Sequence, residues 1–299
     1  MSPIKLPFKL QIAYAFGMMG WSIMVNLISV ILVYLYLPPA TSGLPLLITQ
    51  VAVFGMFNAI AIITASGRLI DAVYDPIIAQ FSDSSKNPKG RRIPLMKLAI
   101  LPSLVFCFLI FYPLKQQESA INIIWLVFML IGFYMSTTTF IIPYNALLPE
   151  LAKSSEEKIR LSTWQSTGYV FGIAIASNAF NLTGILQEQF LLSRISALQI
   201  TVLILAGFAA LFMFITVFAI NEKRYTQSQP STVPLRIALK QTLTNKNFLL
   251  FTVADFSYYI AVTIITSGLM YFVTVLLKLH ETIGNKLMMV MVLTSFIFY

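Results

Sequence analysis

The sequence predicts an all-α polytopic membrane protein, and three observations carry that prediction. Of 299 residues, 58% are hydrophobic and only 10% charged, whereas soluble domains average about 25% charged. The apolar residues fall into uncharged runs long enough to cross a bilayer. The 20 Lys and Arg residues gather in alternate loops instead of spreading evenly. This composition excludes a soluble enzyme, a disordered chain and a disulfide-stapled module. Cys107 is the single cysteine and His280 the single histidine. Zinc ligation by His and Cys, and a Ser-His-Asp triad within the membrane, therefore lack their parts. No phosphate-binding G-x-x-x-x-G-K-[ST] loop occurs.

The elements follow in order. Residues 10–67 carry no charge. A helix needs about 20 apolar residues to span the hydrocarbon core, so this run holds two spans. The turn-forming segment 38–45, with Pro38, Pro39, Gly43 and Pro45, divides them. Span one is expected over about 11–37 and span two over about 47–81. The uncharged runs 98–114, 119–149, 161–187 and 195–221 read as spans three to six. Residues 222–246 are polar and rich in Gln, Ser, Thr and Pro near 226–234, which makes them the expected cytoplasmic linker. Span seven is expected over 247–277, and span eight starts near Lys286. The domain expectation is thus a six-helix bundle over 1–221, the linker over 222–246, and the start of a second bundle over 247–299.

Fifteen of the 20 basic residues, from Lys5 through Arg91, Arg92, Lys153 and Arg224 to Lys246, lie on one side of these spans. By the positive-inside rule that side, with the N-terminus, is cytoplasmic. The net charge of +9 is then an orientation signal and implies no nucleic-acid partner. The plasma membrane is the expected location. Arg236 to Lys240 are expected on a short amphipathic helix at the membrane surface.

Span two holds Arg68, Asp71 and Asp75. Each charge in a membrane helix costs about 2.5–3.5 kcal/mol on insertion scales, and three within eight residues have no packing rationale. The spacings of three and four put all of them on one helix face. Carboxylates one turn apart in low dielectric repel unless a cation sits between them, which is the physics of a site for H⁺ or Na⁺. Pro76 cannot donate to the carbonyl of Ala72, so that oxygen is a further candidate ligand. The alternative is a solvated helix end. The loop Asp83 to Arg92, with Gly90, Arg91 and Arg92, is expected to latch neighbouring helices. Span four carries the hydroxyl run Ser136 to Thr139, and Pro143 is expected to open that helix in mid-membrane.

Six spans, a linker and further spans form the layout of one half plus part of a second, as in major facilitator transporters. Arg68-x-x-Asp71-Ala72-x-x-Asp75-Pro76, Gly90-Arg91-Arg92 and Pro143-Tyr144-x-Ala146-Leu147-x-Pro149-Glu150-Leu151 resemble the glycoside–pentoside–hexuronide:cation symporters, the melibiose-permease-like branch of that superfamily. The resemblance covers spans one to six and the entry to span seven. It implies the major facilitator fold, here an N-terminal half plus the first one or two helices of a truncated C-terminal half. It implies that Asp71 and Asp75 bind the coupling cation with help from Thr138. Tyr74 stands where sugar permeases often have Asn, which keeps H⁺ open beside Na⁺. The family's sugar-binding acids fall on Ser22 and Ile141, and its sugar-site Arg on Gln165. The resemblance thus keeps the cation half of the site and not the sugar half, and the solute is expected to be either a less hydroxyl-rich molecule or an unusual sugar held by other groups.

Cation-coupled symport of a small organic solute, such as a sugar or glycoside, is the expected function. No cofactor beyond the coupling ion is expected, and the protein is expected to be monomeric in the lipid bilayer. Tyr14, Trp21, Asn26, Asn145, Trp164, Gln165 and Tyr169 are candidates for stacking and amide contacts with solute, each with ordinary packing as its alternative. A non-transporting sensor or lipid-handling protein on the same scaffold is the competing reading, and an intramembrane enzyme a distant third.

Overall fold

The computed structural model describes residues 6–38, 43–49, 59–226 and 233–271, with the isolated positions 277, 290 and 294. Pro39 to Ser42 of the first turn, residues 50–58 of the expected span two, residues 272–276 of span seven and all of span eight but positions 290 and 294 lie outside the described residues. The chain divides into two compact units, residues 1–232 and 233–299.

The first unit is a helical bundle of α1 (Phe8–Tyr36), α2 (Ala59–Ser84), α3 (Ile93–Ile110), α4 (Ala120–Leu151), α5 (Ser155–Ser177), α6 (Ala179–Phe190), α7 (Arg194–Ala219) and the short α8 (Glu222–Tyr225). Helices α1, α3, α4 and α7 and the α5–α6 stretch are each long and apolar enough to cross a membrane. Helix α2 has the length but carries the charges of Arg68, Asp71 and Asp75. The second unit contains α9 (Leu235–Thr244) and α10 (Lys246–Tyr271). Arg236 and Lys240 lie exposed on α9.

Helix α1 is the spine of the first unit, packed on both α5 and α7. Glycine makes that approach possible. A Cβ on Gly168 would stand 2.3 Å from the carbonyl oxygen of Ala15, and one on Gly20 would stand 2.3 Å from that of Ala209. Small residues at helix contacts let backbones come together where no hydrophobic effect drives them. Thr216 of α7 adds a hydrogen bond to the carbonyl of Ala13, 2.6 Å. Tyr14 and Tyr144 tie α1 to α4. Their rings stack at 4.3 Å, and each hydroxyl donates to the other's carbonyl, at 3.0 and 2.7 Å.

Helix ends inside a bilayer need partners for their free carbonyls, and α3 finds three. Trp125 Nε1 donates to Leu109 O, Tyr36 Oη to Ile110 O and Gln199 Nε2 to Phe111 O, at 3.1, 2.7 and 3.1 Å. Large apolar side chains such as Leu98, Phe128, Phe208 and Phe218 point outward and exposed. That is the surface a lipid-bathed bundle presents.

Four sequence expectations change. Leu47 to Thr49 are not helical. The Leu47 carbonyl accepts from Ser119 N (3.2 Å) and from the buried Asn122 amide (2.9 Å), which pins this segment to the start of α4. The expected fifth span is two helices, divided at Asn178, whose side chain bonds the Ala174 carbonyl at 2.8 Å. Pro143 does not open α4, which runs unbroken through it; the ring removes only the backbone bond to the Thr139 carbonyl. Residues 222–225 are not linker but the helix α8, with Glu222 and Tyr225 buried.

Gly168→Val is expected to force α1 and α5 apart and to cost about 1–3 kcal/mol by overpacking. Gly184→Val serves as the control, because nothing lies within 4 Å of a Cβ there. Thermal unfolding in detergent should show a clear loss for the first and none attributable to packing for the second.

Candidate functional site

Asp71 and Asp75 lie on successive turns of α2, both partly buried. One hydroxyl of the run on α4 reaches them. Ser136, Thr137 and Thr139 donate to carbonyls of their own helix, at Gly132, Phe133 and Met135. Thr138 instead turns to α2 and donates to Asp71 Oδ1 at 3.3 Å. Asp75, one turn along α2, is near enough to feel both that hydroxyl and the Asp71 charge. Two carboxylates and a hydroxyl therefore meet across α2 and α4. Hard oxygen donors of this kind suit a small cation. Tyr74 points elsewhere, its hydroxyl 3.2 Å from Thr139 Oγ1. Arg68 is on α2, one turn before Asp71, with its side chain outside the described residues. The carbonyl of Ala72 is relieved of its helical donor by Pro76, which α2 includes.

The solute candidates separate into two groups. Asn145 of α4 accepts from Gln165 Nε2 of α5 at 2.8 Å on an exposed face. One turn along α5, Tyr169 lies 6.4 Å from the ring of Trp21 on α1. The Trp21 indole N–H is buried and has no hydrogen-bond partner among the described residues. Thr138, Ile141 and Asn145 fall on one face of α4, so the amide pair sits about 10 Å along the helix from Thr138. The other candidates are engaged in packing. Tyr14 is wholly buried in its pairing with Tyr144, so it is not open to a solute. Asn26 donates to the Ser22 carbonyl of its own helix, and Ser22 Oγ to the Tyr169 carbonyl, both at 2.8 Å. Trp164 meets Phe8 edge-on at 5.5 Å.

The loop between α2 and α3 forms a charged knot. Arg92 bonds Asp83 at 3.0 Å and Glu150 at 2.6 Å, and Arg91 bonds Glu150 at 2.8 Å. The ends of α2, α3 and α4 are so joined. Glu222 of α8 completes the knot and was not singled out by sequence. Its carboxylate accepts the backbone N–H groups of Arg91, Arg92 and Ile93, at 2.7, 3.0 and 3.0 Å. These are unpaired donors at the start of α3, where the helix dipole also favours an anion. Gly90 has φ +122°, and a Cβ there would lie 2.3 Å from Glu222 Oε2. The only sequence signal for Glu222 is an acid directly after an apolar run, beside Lys223 and Arg224, which reads as surface.

The family model described as MFS/sugar transport protein matches residues 13–299. An uncharacterized symporter of Synechocystis sp. is 28% identical over 180 residues, 55% of this chain and 29% of that protein. A Salmonella typhimurium protein, provisionally named a 2,3-dihydroxypropane-1-sulfonate exporter, is 24% identical over 231 residues, 76% of this chain and 46% of its own. The isoprimeverose transporter of Lactiplantibacillus pentosus is 23% identical over 222 residues, 74% and 46% respectively. The chain spans less than half the length of each of these relatives.

Glu222→Ala would strand three amides and is expected to cost about 1–3 kcal/mol. Glu222→Gln keeps a carbonyl acceptor and should lose less. Melting temperatures of the two variants against the parent check the order.

Proposed function

The chain belongs to the MFS/sugar transport protein family, a family of membrane transporters and not of enzymes, and we propose that it contributes to cation-coupled symport of a small neutral polyhydroxylated solute. The observation that carries this reading is the meeting of Asp71, Asp75 and Thr138. With Na⁺ or H⁺ in the gap the two acids coexist; without it they repel. An inward cation gradient then does the work, about 2.3 kcal/mol per charge per 100 mV of membrane potential. Thermodynamic linkage requires that whatever the cation adds to solute affinity, the solute adds to cation affinity. Alternating access between two halves would expose the site to each side in turn. The N-terminus and the α2–α3 loop face the cytoplasm in this reading, by the positive-inside rule, and the membrane is the plasma membrane.

The charge of these helices supports a neutral solute. Residues 10–37, 119–149 and 161–187, which supply α1, α4 and α5 with their membrane stretches, contain no charged side chain. Arg68 is outnumbered by Asp71 and Asp75 on its own helix. An anion in low dielectric needs a partner of opposite sign, and this wall offers two aromatic rings and an amide pair instead. Trp21, Tyr169, Asn145 and Gln165 are the proposed solute contacts. The name of the isoprimeverose transporter fits this chemistry better than that of the sulfonate exporter.

Asp71→Asn and Asp75→Asn are each expected to abolish cation-dependent uptake while the protein still reaches the membrane. Thr138→Val should weaken cation affinity by roughly tenfold, the worth of one charged hydrogen bond, and Thr138→Ser should restore it. Uptake into vesicles as a function of Na⁺ and pH reads all four; full gradient-driven accumulation in both aspartate variants would remove the assignment. Counterflow of a neutral glycoside against a sulfonate tests the solute class, and exchange of the sulfonate alone would overturn it.

A further inference from the structure

Helices α2 and α3 both pack on α4 and leave a cleft of about 420 Å³ between them. Tyr74, Ile77, Ile78 and Phe81 form its α2 wall. Leu95, Leu98, Ala99 and Pro102 form the α3 wall, and Met135, Ser136 and Thr139 the floor on α4. Ile77, Phe81 and Leu98 stand exposed along it. Tyr74 to Phe81 and Leu95 to Pro102 are each eight residues, so the cleft runs about 10 Å along the helices. A nearly all-apolar slot of that length on a membrane helix bundle suits a hydrocarbon chain and not a water-soluble ligand.

The loop 85–92 joins the same two helices and therefore lies over the end of the cleft marked by Phe81 and Leu95. Its four basic residues divide by role. Arg91 and Arg92 are consumed by Glu150 and Asp83. Lys86 and Lys89 are exposed, and no ion pair among the described residues involves their amines. The arrangement sets two uncommitted cations above an apolar slot. Basic residues immediately outside membrane helices attract anionic headgroups, and a formed cleft beneath uncommitted amines adds a place for the chain.

We propose that this cleft binds one anionic phospholipid of the cytoplasmic leaflet, with an acyl chain between α2 and α3 and the headgroup phosphate on Lys86 and Lys89. The floor of the same cleft includes Thr139 and the wall includes Tyr74, which bond each other beside Thr138 and Asp71. The lipid chain thus packs directly behind the proposed cation site.

The test uses the chain in vesicles of phosphatidylcholine alone or mixed with equal phosphatidylglycerol. Each lipid carries a photoreactive group on its acyl chain, and cross-linked peptides are mapped. Phosphatidylglycerol should label residues 77–81 and 95–102 several-fold above other outward-facing segments, and unlabelled phosphatidylglycerol should compete where phosphatidylcholine does not. K86Q/K89Q should lower that labelling to the phosphatidylcholine level, and K86R/K89R should restore it. Leu98→Trp, which fills the slot from an exposed position, should remove labelling by both lipids there. Even labelling over all outward-facing helices, indifference to K86Q/K89Q, or exclusion of both lipids by another part of the protein seated in the cleft would each overturn the proposal. None of these outcomes bears on uptake by the Asp71 and Asp75 variants, so the two readings fail separately.

Discussion

Two carboxylates one turn apart on a membrane helix are the constraint on which the rest of the structure depends. Side chains four residues apart on a helix are about 5–6 Å apart at their Cβ atoms, and each charge carries an insertion cost of about 2.5–3.5 kcal/mol. Thr138 softens the repulsion with a hydrogen bond to Asp71 but brings no charge. A positive ion is the economical remedy in the proposed mechanism. The membrane stretches of α1, α4 and α5 carry no charged side chain.

The bundle is built to hold α2 and α4 in that relation. Helix α4 is fixed to α1 by the reciprocal tyrosine pair, and α1 to α5 and α7 through glycine contacts that admit no side chain. Helix α3 is held at both ends by side chains from elsewhere. Trp125, Tyr36 and Gln199 take its last carbonyls, and Glu222 takes its first amides. Backbone groups that water would satisfy in a soluble protein are here satisfied by named side chains, because lipid offers no hydrogen bonds. The Arg91, Arg92, Asp83 and Glu150 knot then joins the ends of α2, α3 and α4, so a shift of α2 is felt by its neighbours.

Much of this was legible in the sequence because it is periodic or chemically costly. Uncharged runs marked the spans, and the three-and-four spacing of Arg68, Asp71 and Asp75 marked one face. What escaped was set by tertiary contact. The fifth span divides at Asn178, a single turn residue that no hydropathy pattern registers. Pro143 looks like a break in one dimension, yet it costs a long helix only a single backbone bond. Tyr14 and Trp21 are both aromatic residues of the first span. Only their surroundings separate a tyrosine sealed against Tyr144 from an indole with an unused N–H. Glu222 resembles a surface acid until the fold carries it to the start of α3. The family to which the motifs pointed is the one to which the chain belongs; the ion, the solute and the residues that hold them rest on the physics of the site.

Infrared difference spectra of the purified protein, recorded as Na⁺ is added or pH is lowered, read the carboxylates themselves. The account requires a change in carboxylate stretching bands, saturable in Na⁺ or H⁺, that disappears when both Asp71 and Asp75 are replaced by Asn and persists when Asp83 is replaced. A spectrum whose cation-dependent bands survive loss of the pair, or that shows none, would contradict it.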